Sequence, residues 1–203
     1  MAEVEVVEVR GFKLELRDTV YKPAEDSFLM LDVILSLGSL RGLSCLDLGT
    51  GSGILALALA RLGCVTVASD VSLEAVNLAK RNFSLNGLSG EVVQADLTGA
   101  FRDRSFDLLV SNPPYLPVDE AGEPAKAWSG GEKGRAVIDR LLSDLRRVLK
   151  PGGKAMILHA DFNEPSLSVE LGRRNGFEVR VAGRRKLAFH ELFVLEFELK
   201  RCE

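Results

Sequence analysis

The chain has 203 residues, of which 46% are hydrophobic and 6% aromatic, enough for one globular domain with a sizeable core. A formal charge of -3, from 29 acidic and 26 basic side chains, gives no overall attraction to nucleic acid. No apolar run is long enough to cross a membrane, and the first residues alternate valine and glutamate instead of forming a signal sequence, so we expect an intracellular, cytoplasmic protein.

The first forty or so residues predict a small hairpin followed by one helix. Residues 3–9 and 12–16 alternate in hydrophobicity on either side of an Arg-Gly pair, as the strands of a β-hairpin do. Residues 23–37 predict a helix, because Pro23 suits a first helical turn, two acids follow it, and apolar residues then recur at helical spacing.

A buried strand, a glycine-rich turn and a helix are predicted at residues 43–62. The turn is Gly49-Thr50-Gly51-Ser52-Gly53, which we call the glycine turn, and its glycines allow the backbone to approach a ligand closely. Its spacing departs from the dinucleotide fingerprint, and Asp47 just before it would repel a pyrophosphate. The pattern therefore predicts a nucleoside ligand that carries positive charge.

Two further acids follow the next two predicted strands. The strand at residues 65–69 ends in Asp70, and the strand at 91–94 is followed by Asp96. An acid at the tip of the second strand, about 20 residues after the glycines, accepts hydrogen bonds from ribose hydroxyls. Capping the helix at 72–86 is the alternative role for Asp70. Asp96 can accept the exocyclic amine of adenine.

The sequence Asn112-Pro113-Pro114-Tyr115, which we call the acceptor loop, follows a buried strand predicted at residues 105–111. Prolines lack a backbone N–H and cannot continue a strand pairing, so the loop is stiff and projects from the sheet. The Asn112 carboxamide, the Pro113 carbonyl and the Tyr115 ring together suit a flat group that bears an NH2. A loop that merely ends a strand, with Tyr115 packed on the core, is the alternative.

The remaining elements complete an α/β pattern. Strands alternate with helices, which predicts an open, mostly parallel sheet of seven strands with helices on both faces and an antiparallel edge at the C-terminal end. We expect one domain over residues 1–203, with the hairpin and first helix in 1–40 and the core in 41–203. The marked residues then share the carboxyl edge of the sheet, where such folds bind ligands. The later elements are predicted as helices 134–149 and 164–175 and strands 154–158, 178–181 and 189–199.

The cysteines and histidines indicate no special chemistry. Three cysteines show no C-x-x-C spacing, and His159 and His190 are isolated, so neither a disulfide framework nor a metal site is expected. We interpret Cys45 and Cys64 as small buried apolar groups in or beside strands.

The glycine turn with the residues before it, the two later acids and the acceptor loop resemble the HemK-type S-adenosylmethionine-dependent methyltransferases, which have a Rossmann-like fold. This family methylates the side-chain amide of glutamine in class-1 translation release factors. Residues 21–28, 127–131 and 134–135 are similar to its short archaeal and eukaryotic branch. Bacterial members carry a helical domain ahead of the catalytic one, whereas fewer than fifty residues precede the glycine turn here.

The resemblance implies the cofactor S-adenosylmethionine, a release factor as substrate and a small zinc-ribbon activator protein as partner. Two cofactor positions depart from the usual residues, since Ser27 stands where threonine is common and Asp47 where glutamate is common, and both keep an oxygen acceptor. The implied catalytic residues are Asn112, Pro113 and Tyr115, and the implied cofactor-binding residues are Ser27, Asp47, Gly49, Gly51, Asp70, Asp96, Leu97 and Asn112.

A positional mechanism follows. An amide nitrogen is a poor nucleophile because its lone pair is delocalised, so acceptors that hold both of its N–H groups would aim that lone pair at the methyl group. Trp128 could close over the site or serve as a hydrophobic anchor. An adenine methyltransferase acting on DNA or RNA is a rival, although it needs a flipped base and a basic track. Methylation of other side chains such as lysine, and a non-catalytic cofactor-binding module, are further alternatives.

Overall fold

The computed structural model describes residues 6–117 and 132–200, and a seven-stranded sheet forms its centre. A separate two-stranded hairpin precedes the sheet. The strands are β1 Val6–Val9, β2 Phe12–Glu15, β3 Ser44–Leu48, β4 Val65–Asp70, β5 Glu91–Gln94, β6 Phe106–Ser111, β7 Leu149–Ala160, β8 Phe177–Lys186 and β9 Glu191–Leu199. The α-helices are α1 Glu25–Leu35, α2 Ile54–Arg61, α3 Leu73–Leu85, α4 Ala136–Val148 and α5 Pro165–Arg174, and two 3-10 helices span Glu132–Gly134 and Asp161–Asn163.

The sheet confirms the predicted architecture. Its strand order is β5-β4-β3-β6-β7-β9-β8, with parallel pairing from β5 to β7. β9 is antiparallel to both β7 and β8, which gives the antiparallel edge. From β3 the chain first adds β4 and β5 on one side and then crosses over to add β6 and β7 on the other side. Open α/β sheets bind ligands at the carboxyl end of the strands where this change of direction occurs.

Helices cover both faces of the sheet. Successive residues of a strand point to opposite faces, so each central strand contributes apolar side chains to both helix layers. In β3, Cys45 belongs to the core on the side of α1, α2 and α3. Its neighbour Leu46 belongs to the core on the side of α4. The fully buried α4 residues Leu141 and Leu145 fill that second core. The helices therefore hold the central strands from both sides and fix the position of their ends.

Two asparagines of α3 fasten the N-terminal hairpin to the core. Asn82 is fully buried; its Oδ1 accepts from the Glu15 backbone N–H at 2.7 Å and its Nδ2 donates to the Glu15 carbonyl at 3.1 Å. Asn86, one turn later, contacts both backbone groups of Lys13 in the same way. The carboxamides thus imitate a neighbouring strand. This attachment brings the segment between β2 and α1 to the carboxyl edge of the sheet.

Two strands are longer than predicted. β7 begins at Leu149, not at residue 154, because Phe106 of β6 pairs with Leu149 and Leu108 pairs with Lys154. The intervening Pro-Gly-Gly sequence bulges outward between those two pairings, so a local stop signal does not end the strand. β8 runs on to Lys186 through a polar stretch that its pairing with β9 holds extended.

The expectation that the cysteines form no disulfide is wrong for one pair. Cys45 and Cys64 form a disulfide with their Cα atoms 6.0 Å apart. Cys45 of β3 lies opposite Thr66 of the parallel strand β4, so the register brings Cys64, just before β4, within reach. Both residues are buried, as predicted. The spacing of 19 residues carries no local signal, since only strand pairing brings the two sulfurs together.

No helix in the described residues is long and apolar enough to cross a membrane. Within the same ranges, no three histidine, cysteine or acidic side chains gather in a way that could hold a metal ion.

Reduction of the Cys45–Cys64 bond is expected to lower the free energy of unfolding by about 3 kcal/mol. The bond joins residues 19 apart in the sequence, and opening that loop raises the conformational entropy of the unfolded chain. Urea denaturation with and without reductant measures the change, and a Cys45→Ala/Cys64→Ala variant should lose the sensitivity to reductant. Alkylation of the denatured, unreduced protein followed by intact mass should modify one of the three cysteines. Modification of all three would contradict the bond.

Candidate functional site

A cavity of about 450 Å³ opens at the carboxyl ends of β3, β4 and β6, a volume typical of small-molecule sites. It lies at the predicted edge of the sheet. Every residue predicted for the site lines it except Asp47. Those residues are Ser27, Gly49, Gly51, Asp70, Asp96, Leu97, Asn112, Pro113 and Tyr115.

The glycine turn joins β3 to α2 through left-handed backbone. Gly49, Gly51 and Gly53 have φ of 75°, 53° and 86°, values that residues with a Cβ rarely adopt. A Cβ on Gly53 would also lie 3.1 Å from the Cβ of Ala79, so this position lets α2 and α3 approach closely. The backbone N–H groups of Gly49 and Thr50 both donate to the Ser69 carbonyl at 2.9 Å. The turn is therefore held against the end of β4.

Asp47 lies behind the glycine turn and not on the cavity wall. Its side chain is fully buried, and its Oδ2 accepts from the Thr50 hydroxyl at 2.6 Å and from the Ala56 backbone N–H at 2.9 Å. Its Oδ1 is buried and has no partner in the described residues. Burial raises the pKa of Asp47 to about 7, although the bonds from Thr50 and Ala56 oppose the shift. One oxygen of the carboxylate thus stabilises the glycine turn, and the other remains without a hydrogen bond in the described residues.

Asp70 lines the cavity at the end of β4. Its Oδ2 accepts from the Gly51 backbone N–H at 3.0 Å and its Oδ1 from the Ser72 backbone N–H at 2.9 Å. Each carboxylate oxygen has two lone pairs, so a further acceptor position remains on each. Burial raises the pKa of Asp70, against the lowering effect of these bonds. The N-cap side chain of α3 is that of Ser72, so the cap does not require Asp70.

Asp96 and Leu97 form the part of the wall that follows β5. Asp96 is exposed and pairs with Arg140 of α4 at 2.8 Å. Leu97 has a positive φ of 49°, a backbone conformation that costs energy for a residue of this type. This turn brings both residues onto the cavity wall together with Arg140.

Asn112 is the polar centre of the acceptor loop. Its Nδ2 donates to the hydroxyl of Ser27 at 3.4 Å. Its Oδ1 is buried and has no hydrogen-bond partner among residues 6–117 and 132–200. A buried polar atom without a partner costs free energy. The arrangement therefore presents an acceptor that is ready for a donor on a ligand.

Three contacts hold Tyr115. Its hydroxyl donates to Oδ2 of Asp26 at 3.1 Å, and its ring stacks against Phe162 with centroids 6.4 Å apart. Its carbonyl accepts from Nδ2 of Asn163 at 2.8 Å. Burial and the charge of Asp26 raise the pKa of Tyr115 well above its usual range. The ring is thus a neutral phenol in a fixed orientation.

Gly134 and Arg135 support the same loop from the other side. Gly134 has φ +68°, and a Cβ there would overlap the carbonyl of Tyr115. Arg135 is 5% exposed; it donates to the Asn163 carbonyl and to the Ser168 hydroxyl. Residues 127–131, which include Trp128, lie outside the described residues.

Sequence reasoning missed the roles of Asp26, Phe162 and Asn163. Asp26 was predicted only as a charge at the start of a helix, yet its side chain is buried and touches the acceptor loop. Phe162 and Asn163 lie far along the chain, in a short 3-10 helix after β7. A spacing pattern does not reveal contacts across such separations, so no sequence signal could have identified these two residues.

The raised pKa of Asp47 predicts a dependence of stability on pH. The folded chain holds this proton more tightly than the unfolded chain, whose pKa is 3.8, so the free energy of unfolding falls as pH rises from 3.8 to about 7. Asp70 acts in the same direction. Asp47→Asn removes one titrating group and should flatten the fall, as measured by urea denaturation between pH 5 and pH 8.

Asp47→Asn should also be more stable than wild type at pH 8. Parallel curves for Asp47→Asn and wild type would contradict the assignment of the raised pKa to Asp47.

The sequence and fold are similar to those of known methyltransferases. The family model described as Methyltransferase small domain matches residues 27–169. A putative protein N5-glutamine methyltransferase of Methanocaldococcus jannaschii is 33% identical over 94% of this chain and 97% of that protein. The methyltransferase HEMK2 of Homo sapiens is 32% identical over 88% of this chain and 89% of that protein.

Solved structures agree with this match. The E. cuniculi Mtq2-Trm112 complex, responsible for the methylation of the eRF1 translation termination factor, has a TM-score of 0.75 and 27% identity over 90% of this chain and 99% of that chain. The T. thermophilus 16S rRNA N2 G1207 methyltransferase in complex with AdoMet and guanosine shares the fold, with a TM-score of 0.71 and 23% identity over 98% of this chain and 50% of that chain. This chain therefore belongs to the Methyltransferase small domain family and, within it, to the HemK-type protein-glutamine methyltransferases.

Proposed function

We propose that this enzyme transfers a methyl group from S-adenosylmethionine to the side-chain amide nitrogen of the glutamine in the Gly-Gly-Gln loop of a class-1 release factor. The observation that carries the proposal is the buried, unpartnered Oδ1 of Asn112, a residue that lines the cavity. The similar E. cuniculi enzyme methylates a termination factor, and a Lactococcus lactis relative, 34% identical, is a release factor glutamine methyltransferase. Because translation termination takes place in the cytoplasm, we propose that location as well.

The cavity fits the cofactor by its chemistry. Asp70 retains an acceptor position on each oxygen for the ribose hydroxyls. Asp96 and Leu97 would hold the adenine, and Gly49, Gly51 and Ser27 would hold the remainder of the cofactor. The unpartnered Oδ1 of Asp47 favours a cation and disfavours a pyrophosphate. When bound, the cofactor supplies an electrophilic methyl group on a positively charged sulfur.

The acceptor loop orients the substrate. Asn112 Oδ1 would accept one N–H of the target amide, and the Pro113 carbonyl would accept the other. The Tyr115 ring, fixed by its three contacts, would hold the amide plane, so the nitrogen lone pair points at the methyl group. Positive charge that develops on nitrogen is stabilised by these preorganised acceptors, and the extra proton leaves to water afterwards. The chain thus contributes orientation and electrostatics.

A nucleic acid substrate is the less favoured alternative. The acceptor loop would also receive the amine of adenine, but two of the basic side chains that could contribute to a track are engaged in ion pairs. Arg185 pairs with Glu25 at 2.7 Å and with Asp32 at 2.9 Å, and Arg140 pairs with Asp96 at 2.8 Å. A lysine ammonium, with three tetrahedral donors, matches the flat acceptor loop less well than an amide. The choice of glutamine over asparagine as the substrate residue rests on the similar proteins alone.

A small zinc-ribbon activator is proposed as a partner, supported by the similarity to the Mtq2-Trm112 complex. The edge strand β5 is the better docking edge on physical grounds. Exposed Val65, Leu73 and Leu85 lie on β4 and α3, the neighbours of β5. At the opposite edge, β8 carries exposed Arg180 and other charged side chains, which protect an unpaired strand from association.

The enzyme, with its activator present, is expected to transfer label from methyl-labelled S-adenosylmethionine to a release factor and not to oligonucleotides. Asn112→Ala should lose at least about 100-fold in methyl-transfer rate, as expected when a positioning contact made in the transition state is removed. Its cofactor affinity, measured by calorimetry, should fall far less.

The matched control is Asn77→Ala on the exposed face of α3, which should behave as wild type. Label on adenine but not on the release factor would overturn the proposal. Label that survives replacement of the Gly-Gly-Gln glutamine by alanine would show that a different residue is the target.

Charged substitutions beside β5 are expected to abolish binding of the activator. On co-expression, wild type should elute with the zinc-ribbon protein in size exclusion, whereas Val65→Glu with Leu85→Glu should elute alone, because buried charges disfavour an interface. Val181→Glu at the β8 edge is the control and should retain the partner. An enzyme that is fully active and monodisperse without any partner would refute this part of the proposal.

A further inference from the structure

The carboxylate of Asp26 lies beneath the acceptor loop and is 2% exposed. Its Oδ2 accepts from the hydroxyl of Tyr21 at 2.8 Å and from the hydroxyl of Tyr115 at 3.1 Å. Its Oδ1 accepts from the backbone N–H of Ser27 at 2.5 Å and from the hydroxyl of Ser27 at 3.1 Å. Four donors from three residues therefore converge on one buried carboxylate.

These contacts determine what Asp26 can do. A carboxylate offers about four lone-pair positions, and the four donors fill them. Asp26 thus has no free position with which to accept a proton or a hydrogen bond from a substrate. A role as general base is disfavoured, and a role in holding its donors in place remains.

One line of contacts runs from Asp26 to Asn112. The hydroxyl of Ser27 donates to Oδ1 of Asp26, so its oxygen is turned to accept from Nδ2 of Asn112 at 3.4 Å. A carboxamide whose nitrogen is engaged on this side must direct its Oδ1 to the other side. Asp26 therefore decides, through Ser27, which end of the Asn112 carboxamide is left as the unpartnered acceptor.

A second line runs directly to Tyr115. The hydroxyl is held by Asp26 and the ring by Phe162. A ring held at its tip and along its face cannot turn about its own side-chain bonds without losing one contact. Tyr21 reaches Asp26 from the segment before α1, and both residues are part of the cavity lining.

We propose that Asp26 is a positioning residue for methyl transfer, which sets the orientation of Asn112 through Ser27 and of Tyr115 by direct contact. This inference rests on the proposed function, because it concerns the acceptor that these two residues hold. It makes the start of α1 part of the substrate-orienting apparatus, beyond the helix-start charge that the sequence suggests.

The first test needs no substrate. Tyr21 and Tyr115 are the two tyrosines of the chain, so labelling with [13Cζ]tyrosine gives two resonances that report on the two hydroxyls bound to Asp26. Burial and Asp26 raise the pKa of both tyrosines. In Asp26→Asn both resonances should titrate at lower pH than in wild type. Asp32→Asn, the same change at a half-buried acid of α1 that pairs with Arg10 and Arg185 and does not contact either tyrosine hydroxyl, should leave both unchanged.

The second test separates orientation from cofactor binding. Asp26→Asn keeps the shape of the side chain but replaces one accepting oxygen by a donor, and it should lower kcat by about 10- to 100-fold, the loss typical of a misplaced reacting group. The Kd for the cofactor should change much less than kcat, because Ser27 is only one of several residues that would hold the cofactor and the main loss is made in the transition state. In the Asp26→Asn background, Tyr115→Phe should lower kcat hardly any further, because both changes break the same contact.

The third test uses two variants of Ser27 to examine the contact with Asn112. It keeps the proposal testable if an Asp26 variant fails to fold. Ser27→Ala should lower kcat, and Ser27→Thr, which keeps the hydroxyl, should restore it. Unchanged tyrosine titration in a folded Asp26→Asn, equal loss of kcat and cofactor affinity, or additive losses with Tyr115→Phe would each overturn the proposal. If the titrations shift as expected but no variant, wild type included, methylates a release factor, the proposed substrate is wrong while the contacts of Asp26 stand.

Discussion

The parallel pairing of β3 with β4 on one side and β6 on the other is the constraint on which the site depends. Asp47 of β3 lies opposite Ala68 of β4 and Val110 of β6, so all three strands end at the same level. The Ser111 hydroxyl donates to the Leu48 carbonyl at 2.8 Å and fixes the last residue of β6 against β3. Because of this common level, the glycine turn, Asp70 and the acceptor loop face one cavity although they lie far apart in the chain.

The electrostatics of this edge follow from burial. Asp47 and Asp70 are held by hydroxyl and backbone N–H donors, and burial raises the pKa of both. A buried carboxylate without a cationic partner favours a ligand that brings positive charge. The sulfonium cofactor that we propose meets this requirement, whereas a dinucleotide with its pyrophosphate would not.

Much of the fold could be predicted because its signals are local. Alternating hydrophobicity located the strands, and glycine and proline marked where the strands meet the cavity, so Asp70, Asp96 and Asn112 could be identified as residues at strand ends. The disulfide, the contact of Asp26 with Tyr115 and the support from Asn163 could not, since each joins residues that only the tertiary fold brings together. Asp47 is an intermediate case. The sequence indicates an acid directly before the glycine turn, but only the structure shows that Asp47 lies behind the turn and off the cavity wall.

The central claim is that the acceptor loop recognises the two N–H groups of a neutral amide. The most direct measurement is the affinity of the enzyme, saturated with S-adenosylhomocysteine, for two peptides that differ in one group. One carries Gly-Gly-Gln; in the other a methyl group replaces the amide NH2, as in a 5-oxonorleucine side chain, which is neutral and similar in shape but has no N–H to donate. Our account predicts that the glutamine peptide binds about 10- to 100-fold more tightly, the effect of leaving a buried acceptor unpaired. Equal affinity for the two peptides would contradict it.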